Sequence, residues 1–297
     1  MRERIGVLAA VLSSALGGMA AATTRFVVGG IDPVTIATFR FGLGFLFLVP
    51  IAIMLRSRWP SGRDWLWTGL LGLMLFAFFS IVYNVAFART TAAHGSLALS
   101  TMPLMTMLAA AVFGAERLTW RKSAGVLIAM TGVAIALASG AAGAPAGAWR
   151  GDLLMLAGTL CMALYNVWSR PLIARSSALG FVTASMGMGA VCLFAISVGI
   201  GGFRVIPDFN LSLWLAVAYL ALCGGAVGFY LWVFALERTS PTRVASTMPV
   251  NPVAASALAA VLVGEPIGLN LVFGIAAVFA GVWIALPPDR PLTDLVG

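Results

Sequence analysis

Residues 89–105 read RTTAAHGSLALSTMPLM, residues 238–254 read RTSPTRVASTMPVNPVA, and the two lie on one another at an offset of 149. The match runs without a gap from 89–137 onto 238–286, with thirteen of 49 positions identical. Apolar residues match cheaply, so the informative pairs are the polar and helix-breaking ones. These are Arg89/Arg238, Thr90/Thr239, Pro103/Pro252, Glu116/Glu265, Gly125/Gly274 and Gly132/Gly281, and Trp65 falls on Trp214 at the same offset. At an offset of 145, Arg25 meets Arg170, Thr38 meets Thr183, Gly42 meets Gly187 and Gly44 meets Gly189. The four-residue difference fits an insertion near Gly201–Asp208. The chain carries one pattern twice.

The duplicated unit is built for lipid. A soluble domain is roughly 25% charged, whereas this chain of 297 residues is 9% charged and 61% hydrophobic, with one Lys (Lys122) and one His (His94). Its apolar stretches have no polar face to turn to water, so they must face lipid or each other. The fold class expected is all-α integral membrane. A helix needs roughly 20 apolar residues to cross the hydrocarbon core, and ten candidates exist: 5–27, 34–55, 65–88, 94–114, 123–139, 151–173, 178–200, 211–236, 243–263 and 269–286. Arg2, Arg4, an apolar run and Ala20-Ala21-Ala22 have the pattern of a cleavable signal peptide, but the repeat gives this segment a partner and we expect it to stay.

Net charge of +8 does not imply nucleic acid, because the Arg residues come in ones to threes between apolar runs rather than in a patch. They instead set topology. With the N-terminus inside, thirteen Lys and Arg fall in inner segments and four (Arg25, Arg89, Arg150, Arg204) in outer ones, leaving Arg40 within a span. Both termini are therefore expected in the cytoplasm. Trp59, Trp65, Trp67, Trp120, Trp149 and Trp214 fall at span ends, where an indole suits the headgroup layer. Cys161, Cys192 and Cys223 sit in apolar segments with no metal-ligand spacing, so no metal and no disulfide is expected.

The two repeats, 1–145 and 146–297, hold five spans each, and an odd number makes the second copy enter the membrane from the opposite side. Loop charge agrees: Arg117, Arg121 and Lys122 follow the fourth span, while the loop after the ninth has none. Ten transmembrane helices as two inverted five-helix repeats is an architecture of alternating-access carriers, with the substrate between the halves.

Phe113-Gly114-Ala115-Glu116-Arg117-Leu118 with Gly125 and Gly132 after it, and Val263-Gly264-Glu265-Pro266 with Gly274 and Gly281 after it, resemble the EamA repeat of the drug/metabolite transporter superfamily. The resemblance covers essentially the whole chain. Its length and short termini look most like the ten-helix bacterial amino-acid exporters of the YddG type. What the resemblance implies is export of aromatic and other neutral amino acids, or similar small metabolites, across the bacterial inner membrane without a cofactor.

Several residues are candidates for the pathway. Pro103 and Pro252 sit mid-span in matching positions with Pro249 beside the second, and each is expected to kink its helix as a hinge. Leu99, Met102 and Thr106 share a face, matched by Met248, Asn251 and Ala255. Asn251, polar at mid-depth, bonds either a carbonyl freed at the kink or a substrate amine or carboxylate. Phe79 and Tyr83 stand one turn apart with Asn84 adjacent, and Cys161, Tyr165 and Trp168 repeat the arrangement with Asn166. Such a mix of apolar walls and polar tips suits a pocket for an amino-acid side chain, though an aromatic stripe also serves plain packing. Arg40 has three readings: snorkelling, pairing with helix-end carbonyls, or attracting a carboxylate. His94 is read as surface-facing, and Glu116 and Glu265 as caps or Arg partners. Gly224 and Gly228 permit close helix packing within or between monomers, so the oligomeric state is left open.

No Asp or Glu occupies the middle of a span. A drug or cation exporter of the same superfamily usually needs one to exchange a proton for its cargo, and strong proton or sodium coupling is disfavoured on the same ground. A membrane enzyme is the weakest reading, for want of a base, nucleophile or metal set.

Overall fold

Several helices begin where the sequence supplies a cap. Asp32 Oδ1 accepts from the amides of Val34 and Thr35 at 3.0 Å, with Pro33 in the first turn. Ser177 caps through Gly180 N at 3.2 Å and Asn210 through Leu213 N at 2.9 Å. The structure, a computed structural model, describes residues 2–90, 95, 98–115, 120, 123–125, 127–128, 131, 147–262, 273, 276 and 280. The expected spans 123–139 and 269–286 fall mostly outside that set, as do His94, Glu116 and Glu265.

The elements are α1 (Arg2–Val27), α2 (Pro33–Met54), α3 (Asp64–Phe87), α4 (Met102–Val112), α5 (Ala148–Arg175), α6 (Ala178–Gly199), α7 (Leu211–Arg238), α8 (Pro241–Ala245) and α9 (Val250–Leu262). No strand occurs among the described residues. Seven stretches there are long and apolar enough to cross a membrane, counting Pro241–Leu262 as one, and α4 is a shorter apolar helix. Large apolar side chains such as Leu8, Leu46, Ile53 and Val191 point outward, as lipid-facing helices require. At one end, the Asp64 carboxylate takes both Nε and Nη2 of Arg175, at 2.7 and 2.8 Å.

Two stretches differ from expectation. Where the prolines of 94–114 and 243–263 led us to expect kinks, the structure has breaks. Residues 100–101 form a turn before α4, and Pro103 stands in its first turn, where a missing N–H costs nothing. Residues 246–249 form a turn between α8 and α9, ending at Pro249, with Pro252 in the first turn of α9. Both breaks fall at matching places in the two repeats.

A second pair of irregularities was not anticipated. The helix α3 widens to a π segment over Leu73–Phe79, and α7 does so over Leu220–Val227. The offset of 149 carries the first to within two residues of the second.

The contacts are paired in the same way. The helix α1 packs on α9 and α7, α5 packs on α4 and α3, and α2 packs on α6. Gly6 of α1 lies against Ala235, Arg238 and Thr239 of α7 and the turn after it, and Gly151 of α5 lies against Ala86, Arg89 and Thr90 at the end of α3. Gly44 of α2 meets the Ala221 carbonyl, and Gly189 of α6 meets that of Gly72. Ser13 donates to the Gly228 carbonyl at 2.7 Å, and Gly158 packs on Phe79. Every first contact becomes the second on adding 145 to the α1 or α2 residue and subtracting 149 from the residue in or just after α7.

Candidate functional site

The breaks and the π segments surround one cavity, reached by α1, α2, α3, α5, α7 and the residues around both breaks. Its free volume is about 50 Å³, room for a few waters at about 10–15 Å³ each. Ten of its sixteen lining residues form five pairs at the two offsets: Phe79/Gly228, Ser80/Phe229, Tyr83/Trp232, Leu99/Met248 and Gly17/Met162. The six without a lining counterpart are Ser13, Ser14, Arg40, Phe41, Gly224 and Asn251. Four of these six are polar or charged, so the polar lining breaks the repeat's symmetry.

Arg40 is 7% exposed, inside a span where burying an arginine costs about 2.5–3.5 kcal/mol on insertion scales. Part of that is offset by the rings of Phe41, Tyr83 and Phe229, whose centroids stand 5.1, 5.6 and 5.9 Å from Cζ. Its Nη2 donates to the Gly224 carbonyl at 3.0 Å. That carbonyl belongs to the π segment of α7, where the inserted residue disturbs the helical ladder. The equivalent carbonyl in α3, Leu75, accepts from the Ser80 hydroxyl at 3.2 Å. Arg40 Nε has no partner, and Arg40 makes no ion pair, among the described residues.

Asn251, 2% exposed, opens α9 against Gly17 of α1. Its Oδ1 has no partner among the described residues, and its Nδ2 reaches only the Met248 sulfur at 4.0 Å. The side chain does not take the kink carbonyl considered above. Ser14 Oγ and Thr247 Oγ1 lie 2.9 Å apart beside it, tying α1 to the break.

The structure brings Phe79, Tyr83, Leu99, Met248 and Asn251 together on this cavity. Met102 and Tyr165 are fully buried behind it: the Met102 sulfur faces Asn166 Nδ2 at 3.7 Å, and the Tyr165 ring meets Phe76 and Phe181. Trp168 lies apart. It is 39% exposed, packs edge-on against Phe113 at 5.3 Å, and lines a separate groove with Trp67, Met74 and Pro171. Of the hinge candidates, Pro103 and Pro252 start helices and Pro249 closes the turn between α8 and α9. Sequence reasoning missed Ser13, Ser14, Phe229 and Trp232, although the offset of 149 carries Tyr83 straight to Trp232. Among the described residues no group of His, Cys, Asp and Glu could hold a metal.

Interrupted helices in corresponding places around a buried cavity define a membrane carrier. The chain belongs to the EamA-like transporter family, whose pattern matches twice, over residues 4–138 and 149–286. It is 31% identical over 233 residues to a probable terminal-alkyne amino-acid exporter of Streptantibioticus cattleyicolor, covering 77% of this chain and 76% of that one. The uncharacterized transporter YyaM of Bacillus subtilis is 24% identical, over 88% and 87% of the two chains. One crystal structure superposes with a TM-score of 0.73 over 96% of each chain at 20% identity, a likeness of fold. The protein is a transporter and not an enzyme.

Proposed function

We propose that this chain is a secondary carrier that exports neutral amino acids or similar small metabolites by alternating access. In this reading ten helices form two inverted repeats, 1–145 and 146–297, in a bacterial inner membrane with both termini cytoplasmic. The observation that carries it is the cavity, because its walls are residue pairs related by the repeat offsets. Two copies facing opposite ways can exchange shapes, and a site on the seam between them then opens to either side. Pro103, Pro249 and Pro252 at the breaks are the hinges, with Phe79, Tyr83, Leu99, Met102, Tyr165, Met248 and Asn251 in or behind the walls; Trp168 is retained only as a lateral contact.

The amino-acid class is supported by the exporter relative and by a cavity whose polar lining is small beside its apolar walls. The cation-exporter alternative is weaker, since the charge lining the cavity is Arg40, which repels a cation. Purified protein in liposomes, offered labelled neutral amino acids with and without a pH gradient, tests the reading. Saturable flux of at least one amino acid is expected, with little acceleration by the gradient. Flux of organic cations alone would overturn the substrate class. Single cysteines placed at Arg121 and Gly268 are expected to react with an impermeant maleimide from opposite sides of the membrane; labelling from one side would end the inverted arrangement.

A further inference from the structure

We infer that Arg40 is the carboxylate anchor of the substrate site and that Asn251 faces the amine, so the carrier recognises its cargo as a zwitterion through the polar lining of the cavity. This rests on the carrier reading of the same cavity and adds to it a chemical requirement.

The carbonyl at the place in α3 corresponding to Gly224, that of Leu75, is satisfied by the hydroxyl of Ser80. One serine therefore does for the first π segment what Arg40 does for the second through Nη2. The residue 145 places on from Arg40 is Ser185, whose hydroxyl bonds back within its own helix to Phe181 and Val182. Phe229 stands where the second repeat would need the counterpart of Ser80, so Arg40 does hold the Gly224 carbonyl, but a single hydroxyl would do as much and the charge is surplus to that task. A guanidinium carries five donors in a planar fork that matches a carboxylate. The Gly224 carbonyl takes Nη2, the Tyr83 side chain lies alongside, and Nε has no partner among the described residues at this cavity. A buried cation with spare donors, three aromatic rings holding it in place and no acid paired with it among the described residues is prepared for an anion that arrives from outside.

The second group is an acceptor. Asn251 Oδ1 is buried without a partner among the described residues, in the same cavity. Asn251 packs on Gly17, whereas Gly224, next to Arg40, packs on Ala20. Gly17 and Ala20 are three residues apart on α1, so the two groups stand at levels about 4.5 Å apart along the axis of that helix. That is the scale of an amino acid's charged head. A guanidinium and a carbonyl oxygen on one cavity offer donors to a carboxylate and an acceptor to an ammonium, and leave the side chain to the walls formed by Leu99, Met162 and Met248.

The test uses the full-length protein in liposomes, with labelled L-leucine and unlabelled competitors added together on the same side. L-leucine is expected to compete at concentrations at least tenfold lower than L-leucinamide, which keeps the amine and side chain but has no carboxylate. 4-Methylpentanoate, which keeps the carboxylate alone, is expected to fall between them. Arg40→Gln retains a donor for the Gly224 carbonyl, so it should fold; it is expected to erase the difference by weakening L-leucine tenfold or more while leaving L-leucinamide where it was. Arg40→Lys should restore part of the preference. Equal competition by L-leucine and L-leucinamide in the unaltered protein would overturn the anchor without needing any variant, and so would an unchanged ratio in Arg40→Gln. Absence of flux for every compound would instead overturn the carrier reading and take the anchor with it.

Discussion

Gly18→Ala is expected to lower the melting temperature in detergent by several degrees, although it adds one methyl group. A Cβ at position 18 would stand 2.1 Å from the carbonyl oxygen of Asn251, 2.9 Å from its carbon and 3.0 Å from Ala254 Cβ. Two of these are backbone atoms at the start of α9, so no rotamer change relieves the clash and α1 must shift away. Overpacking of this kind costs about 1–3 kcal/mol. It also outweighs the helix propensity that alanine gains over glycine, about 1 kcal/mol. Gly42→Ala supplies the control, since a Cβ there meets nothing within 4 Å; it should leave the melting temperature unchanged or raise it slightly. The same shift would move Asn251, so Gly18→Ala protein that does fold is expected to carry amino acids several-fold more slowly. Equal melting temperatures for the two variants would show that α1 and α9 do not meet as closely as this packing requires.

The contrast explains what could be read from sequence and what could not. Hydrocarbon demands an unbroken apolar stretch of fixed length, so expected spans such as 34–55 and 178–200 match Pro33–Met54 and Ala178–Gly199 within a residue. The repeat was legible because Pro, Gly and Arg positions are scarce in such a chain and their coincidence is informative. Azimuth was not legible. A helix apolar on all sides has no polar stripe to show which face turns inward, and so Trp168 was a candidate while Trp232 was not, although Trp232 is 2% exposed on the cavity and Trp168 faces outward. The π segments left no mark either, because one extra residue in a turn changes hydrogen-bond register and not composition. Arg40 stood out as a charge, but its partner is a carbonyl released by that register, which no side-chain pattern announces. Proline, finally, is compatible with a kinked helix and with a helix start, and backbone geometry alone separates them.

Trp232 of α7 and Asn166 of α5 join two groups of packed helices, α1 with α7 and α9 on one side and α3, α4 and α5 on the other. The indole Nε1 of Trp232 donates to Asn166 Oδ1 at 2.8 Å, and Asn166 Nδ2 faces Met102 Sδ and Thr106 Oγ1 at 3.7 and 3.5 Å. All of this is buried, so removing one partner strands the other. Trp232→Ala is expected to destabilise the protein by about 3–5 kcal/mol, the usual loss for a buried aromatic, and to turn the carrier toward bulkier side chains by enlarging the wall opposite Tyr83. Asn166→Ala leaves the indole N–H without an acceptor and should cost about 1–3 kcal/mol. Trp232→Phe keeps a ring and loses the donor. Adding Trp232→Phe to Asn166→Ala should therefore cost less than the two changes do separately, because the stranded donor is gone. Denaturation of the four proteins in detergent measures this coupling. Strict additivity would mean that the bond between Trp232 and Asn166 contributes nothing to holding the two groups together, and apolar contacts alone would then join them.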